Sequence, residues 1–330
     1  MKCFLGIVVA LAAVAYAREI PAYEDEYLES MTAYGYLTRF GIPEAERIRK
    51  LEEEMLKSPD RIAGGTASAL GEIPYQAGLL SEITGLSGNG ICGGSLLNNL
   101  RVLTAAHCWW DGQNQAWRFT VVLGSITLFS GGTRVQSTSV VVHPNWNPRT
   151  IANDVAIINL PAPVTLSATI SPIALPTTNE NFAGETAVAS GFGMRGEESI
   201  TTAQFKSHVS LSIITNLVCR LSFPFNVQNS NICTSGAGGM STCRGDSGGP
   251  LAVTRNNQRI LVGVTSFGSA AGCTRGFPLP CTSTLSVSFG GSLLYSLLDS
   301  PPPHYPFYQR TPTPLRLSSL YQISYYYPRD

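Results

Sequence analysis

Thr242-Cys243-Arg244-Gly245-Asp246-Ser247-Gly248-Gly249-Pro250 is a run that neither a helix nor a central strand would keep. Glycine forfeits backbone entropy in regular structure and proline withdraws a donor, so the run is a loop. Glycines on both sides of Ser247 permit backbone angles that expose its hydroxyl and let main-chain N–H groups converge beside it. A serine hydroxyl is a weak nucleophile at neutral pH; it needs a base, and the base needs an orienting carboxylate. Leu103-Thr104-Ala105-Ala106-His107-Cys108 offers His107, and Asn153-Asp154-Val155-Ala156-Ile157 offers Asp154 just ahead of an apolar run. Either block alone is an ordinary turn or a packed histidine; the blocks together point to acyl transfer.

In the order His, Asp, Ser, these blocks resemble the chymotrypsin-like (trypsin-fold) serine endopeptidases. The resemblance implies an all-β fold of two packed six-stranded antiparallel β-barrels. His107 and Asp154 come from the first, Ser247 from the second, and the active site lies in the cleft between them. The chain from residue 62 agrees: 91–97, 118–123, 135–142, 155–160 and 260–266 read as short strands between turn residues, with almost no helical periodicity. The resemblance also assigns an oxyanion hole to the N–H groups of Gly245 and Ser247. It places Ser241 at the base of a primary pocket and Ser266-Phe267-Gly268 along its wall, whose backbone would take substrate as an added strand. An uncharged Ser241 does not offset the burial of a basic side chain, so a large apolar or aromatic residue is the expected occupant. Residues 264–273 further resemble the chymotrypsins and collagenase-like enzymes of arthropod guts.

Residues 1–17 carry Lys2, an apolar run and Ala15-Tyr16-Ala17, the pattern of a secretory signal, too short to be a comfortable membrane span. Export permits disulfides. Of the eight cysteines Cys3 leaves with the signal, and spacing alone does not give the pairing of the rest. The resemblance implies Cys92 with Cys108, Cys219 with Cys233, and Cys243 with Cys273, leaving Cys281 over. Residues 18–61 form an acidic preamble, an activation propeptide in this reading. Pro43 stands at a helix start and Ile48, Leu51 and Met55 follow at helical spacing, with a plain linker as the alternative. Arg61-Ile62-Ala63-Gly64-Gly65 resembles the family's activation junction, where cleavage after Arg61 frees the Ile62 amine to pair with Asp246. A carboxylate buried beside the nucleophile is costly until paired, so the uncut chain is expected to be a zymogen.

Net charge is formally zero with no basic run, which argues against nucleic acid or an anionic membrane as partner. No spacing of ligands suggests a metal or cofactor, and His143 and His208 read as surface residues. The expected partners are polypeptide substrates, an activating trypsin-like protease and protein inhibitors, and the expected state is a secreted monomer, in a gut lumen. Beyond Ile62 there is one lysine, Lys206, against thirteen arginines. Arginine stays charged where lysine does not, which suits a strongly alkaline fluid. The protease domain is read as 62–278. After Pro278 the text changes: prolines at 280, 301–303, 306, 312, 314 and 328 argue against a long helix or central strand. Residues 279–330 therefore read as an irregular, disordered tail, produced by a frame slip or retained intron, with a genuine extension as the alternative. A second barrel robbed of its last strand would leave the chain poorly folded or weakly active, which keeps a non-catalytic homologue open as a rival function.

Overall fold

The computed structural model describes residues 26–57, 68–177, 180, 182–194, 206–273 and the backbone of 285–287. Seven strands make the first sheet: β1 (Gln76–Ile83), β2 (Asn89–Asn98), β3 (Arg101–Thr104), β4 (Ala116–Leu123), β5 (Thr133–Ser137), β6 (Ser139–Val142) and β7 (Ala156–Asn159). Their order is β5-β4-β1-β2-β3-β7-β6, all neighbours antiparallel. The two outermost strands are halves of one bent stretch broken only at Thr138, so the sheet curls back on itself and encloses a core as a six-stranded barrel would. At the corner the Ser137 side chain stands in for the ladder, donating to the Asn159 carbonyl at 2.6 Å and accepting from Ser139 N–H at 3.1 Å.

β8 (Thr186–Gly191), β9 (Ser207–Ile214), β10 (Asn231–Thr234), β11 (Pro250–Arg255), β12 (Gln258–Phe267) and β13 (Leu285–Val287) close a second barrel in the order β10-β13-β12-β11-β8-β9. β13 corrects the expectation for the tail. Ser286 pairs with both Ile232 and Thr265, so three residues beyond Pro278 supply the barrel's missing strand. The physical reason is local: 281–300 contains no proline, and Leu285-Ser286-Val287 alternates apolar and polar as a strand requires. The other residues after Cys273 lie outside those described.

The preamble does not behave as a solvated linker. A helical turn, Leu37–Gly41, runs into helix α1 (Ile42–Lys57), with Pro43 in its first turn where a missing N–H costs nothing. Ile48 is buried against Leu80, Ile91, Val122, Leu128 and Phe192 of the barrels, and Leu28, Tyr36 and Leu37 are buried as completely as any core residue. One other expectation falls: His143 is buried, its imidazole pKa lowered by desolvation; Lys206 is buried as well, donating to the Ile73 carbonyl.

Candidate active site

Each residue of the Ser, His, Asp set sits where one barrel meets the other. His107 lies in a single helical turn, Ala106–Cys108, that follows β3, and the Cys92–Cys108 disulfide ties this turn to β2. Asp154 lies two residues before β7, delivered there by Asn153 in a left-handed conformation (φ 60°) that asparagine tolerates, its amide bonding the Asn145 carbonyl. Both side chains are fully buried. The carboxylate receives His107 Nδ1 at 2.7 Å, the His107 backbone N–H at 2.8 Å and the Ser266 hydroxyl at 2.5 Å. The imidazole is thereby held in one orientation, with its Nε2 edge turned to the cleft.

Ser247 arrives from the second barrel on the glycine loop. Gly245 and Gly248 adopt φ 96° and 82°, and a Cβ on Gly248 would stand 2.2 Å from Thr104 Oγ1 and 2.5 Å from the Gly93 carbonyl oxygen. Only glycine fits. Gly93 N–H donates to the Ser247 carbonyl at 2.6 Å, so the loop is docked on β2 of the first barrel. Asp246 turns the other way, accepting Gly193 N–H and Cys243 N–H, each at 2.9 Å. Gly191 and Gly193 are obligatory against it, since a Cβ would lie 2.1 Å and 2.7 Å from its carboxylate. Burial pushes the Asp246 carboxyl up to about 6 despite those two donors. Among the described residues it has no ion-pair partner, and a cavity lined by Ser190, Gly191, Met194, His208 and Met240 opens beside it. Arg61 and Ile62 lie outside the described residues.

A second depression is lined by Ser241, Ser266, Phe267, Gly268 and the Cys243–Cys273 disulfide. Ser241 donates to the Cys273 and Thr242 carbonyls, so its floor is neutral, and Phe267 is buried edge-on against Phe223. Cys219 and Cys233 are also bonded. Cys92, His107 and Cys108 are close enough together to suggest metal ligands, but the two sulfurs are bonded to each other, which removes them as donors.

Sequence reasoning missed the residues that face this site from the preamble. Tyr36, Phe40 and Thr32 line the same depression. The Tyr36 ring stands edge-on to His107, centroids 4.8 Å apart, and its hydroxyl donates to the Ile91 carbonyl at 2.9 Å. The hydroxyl shares this depression with Ser247, and Ser247 and Gly245 lie near enough to act on it. Burial drives its pKa far above the usual phenol value, so it is neutral. His107 Nε2 is buried with no hydrogen-bond partner among the described residues, so Ser247 and His107 are not linked. One signal was present: Tyr23, Tyr27, Tyr34, Tyr36 and Phe40 are more aromatics than a solvated linker carries.

Comparison with known proteins agrees with this geometry. The model of the Trypsin family matches residues 62–285, a span that reaches β13. Brachyurin of Leptuca pugilator is 37% identical over 220 residues, covering 66% of this chain and 91% of that protein. Collagenase of Hypoderma lineatum is 38% identical over 224 residues, covering 66% of this chain and 81% of that protein. A solved structure of HL collagenase superposes with TM-score 0.60 at 34% identity, covering 69% of this chain and 93% of that one. A catalytic-type cleft between two curled antiparallel sheets, a family match over most of the chain and relatives of this kind lead to one conclusion: the chain belongs to the trypsin family and is a serine endopeptidase acting on polypeptides.

Proposed function

We propose that the protein is a secreted zymogen, cleaved after Arg61 and then hydrolysing peptide bonds after large apolar or aromatic residues, as a digestive enzyme of a gut lumen. The observation that carries the chemistry is the fully buried Asp154–His107 pair directed at the cleft that holds Ser247. In this reading His107 takes the Ser247 proton as the hydroxyl attacks the carbonyl carbon, and returns it to the leaving amine. Asp154 stabilises the imidazolium, the N–H groups of Gly245 and Ser247 receive the developing oxyanion, and water then releases the acyl group. The neutral floor at Ser241 and the apolar wall at Phe267 support the choice of substrate side chain. Secretion rests on residues 1–17, and the disulfides agree with an oxidising compartment. The closure of the second barrel by β13 removes the main ground for an inactive homologue.

The test is limited trypsin digestion followed by chromatography of the 62–330 product. Esters of aromatic, basic and small residues are then compared, with a serine acylator as label for Ser247. Aromatic preference with labelling supports the reading; hydrolysis of the basic ester alone overturns the pocket assignment. Ser241→Asp supplies a second check. The new carboxylate would face the Cys273 and Thr242 carbonyls and gain only when a cation enters, so kcat/KM for an arginine ester is expected to rise at least ~10-fold while the aromatic ester loses.

Asp246 gives a pH dependence in the uncut chain. Its folded pKa of about 6 lies above its unfolded value of 3.8, so the folded state binds the extra proton. Stability from this group is complete below pH 3.8 and is lost as pH rises through about 6. Asp246→Asn mimics the protonated acid. The melting temperature of the uncut wild type is expected to fall relative to that of the variant between pH 4 and pH 7. A constant difference would remove the unpaired carboxylate from the account. After cleavage the Ile62 amine reverses the sign by pairing with the carboxylate, so the cut variant is expected to stay inactive.

A further inference from the structure

We propose that residues 26–57 are an inhibitor of the chain's own active site, and that they continue to block it after Arg61 has been cut. The inference rests on the proteolytic reading above and adds a function to a segment whose cleavage alone would otherwise complete activation. Ser30-Met31-Thr32 runs antiparallel to the strand edge that follows β12, as a substrate would. Ala270 N–H donates to the Ser30 carbonyl at 2.8 Å, Thr32 N–H to the Gly268 carbonyl at 3.1 Å, and Gly268 N–H to Thr32 Oγ1 at 2.9 Å. From there the chain enters the catalytic centre, where Tyr36 lines the same depression as Ser247, its ring edge-on to His107 and its hydroxyl held by the Ile91 carbonyl. What reaches the nucleophile is a phenol oxygen with no carbonyl carbon to attack. Ser247 and His107 are not hydrogen-bonded to each other, and the imidazole is covered by the ring. The arrangement inhibits without being a substrate.

The rest of the segment fastens this plug at points far from the Arg61 bond. Leu37 N–H donates to the buried Asp111 carboxylate at 2.8 Å, an N-terminal cap supplied by the protease body. Arg244 lies over Phe40 with its guanidinium carbon 5.1 Å from the ring centre, and Glu44 packs against Gly245. Glu52, buried near the far end of α1, accepts Leu128 N–H at 2.5 Å and Phe129 N–H at 2.9 Å. At the opposite end the Tyr27 hydroxyl donates to Asn226 and its ring packs edge-on to Phe225. None of these contacts passes through residues 58–67, so cutting after Arg61 leaves all of them in place. Release then requires dissociation or further clipping, for which the half-exposed Arg49 of α1 is a suitable site.

The test uses the full chain, cut after Arg61 by limited trypsin digestion with the 18–61 fragment shown intact by mass. The labelling rate of Ser247 by a fluorophosphonate is read before and after that fragment is removed in mild denaturant. The cut, undissociated wild type is expected to label about 30-fold or more slowly than the freed enzyme, the loss that one buried aromatic anchor supports. Tyr36→Ala in the same cut state is expected to label within a few-fold of the freed enzyme. Tyr36→Phe, which keeps the buried ring and only loses the hydroxyl, falls between. All three label equally once the fragment is gone, since residue 36 leaves with it. Full labelling of the wild type in step with Arg61 cleavage, unchanged by either substitution, overturns the inference. No labelling in any form after the fragment's removal overturns the proteolytic reading itself and this inference with it.

Discussion

Ser247→Ala is expected to lower kcat of the cut, segment-free protein by about a millionfold, close to the full loss seen when a unit of nucleophile and base is broken. The variant keeps everything else. The Ser247 backbone carbonyl still accepts Gly93 N–H, Gly245 and Gly248 keep their left-handed angles, and the His107–Asp154 contact at 2.7 Å does not involve the hydroxyl. Binding through the neutral pocket and the strand edge at Gly268 therefore persists, and KM for an aromatic ester is expected to change little while kcat collapses. Stability is expected to move by no more than about 0.5 kcal/mol, because no network is broken and no cavity larger than one oxygen is made. Hydrolysis is measured alongside fluorophosphonate titration, so that traces of wild type are counted. A fall of less than a hundredfold would mean that Ser247 is not the nucleophile.

Asp154→Asn is expected to cost about four orders of magnitude in kcat at neutral pH. Three donors converge on this carboxylate: His107 Nδ1, the His107 backbone N–H and the Ser266 hydroxyl. An amide offers one oxygen and brings two donors of its own. If its oxygen stays with the backbone N–H, its nitrogen faces Nδ1, which must then be the acceptor, and the ring proton moves to Nε2. An imidazole protonated there cannot take the proton from Ser247. The mismatch lies at a fully buried site, so stability is also expected to fall, by about 1–3 kcal/mol for a buried donor left unmatched. Paired measurements of kcat and melting temperature separate the two effects. A variant as active as the wild type would remove Asp154 from the mechanism, whatever its stability.

The two substitutions act on residues that were readable without coordinates, and for a common reason. In the proposed mechanism Ser247, His107 and Asp154 are demanded by the chemistry, and the glycines around Ser247 are demanded by the space available: Gly248 is pressed onto Thr104 and the Gly93 carbonyl. Such requirements are met by residue type at a position, and residue type is what a sequence displays. β2, β4, β5 with β6, β7 and β12 were readable as short apolar runs between turn residues, and α1 through Pro43 and the spacing of Ile48, Leu51 and Met55. β13 was hidden by its neighbours, because the prolines that flank it outweighed three alternating residues whose partners, Ile232 and Thr265, lie far away in the chain.

Tyr36 was hidden for a deeper reason. Its place is set by contacts with Ile91 and His107 and by the depression it shares with Ser247, all separated from it by tens to hundreds of residues, and no local pattern marks a side chain for such a place. Hydrophobic spacing shows that a helix has a face to bury, but not which surface receives it, since apolar contact is non-directional. The sequence by itself determined the family's chemistry, the two-barrel class and the helix, because each rests on residue type or short-range periodicity. Only the tertiary structure decided that the preamble lies in the cleft, with Tyr36 against His107 and Asp111 capping the turn behind it. Packing across the whole chain sets those distances, and no shorter stretch contains them.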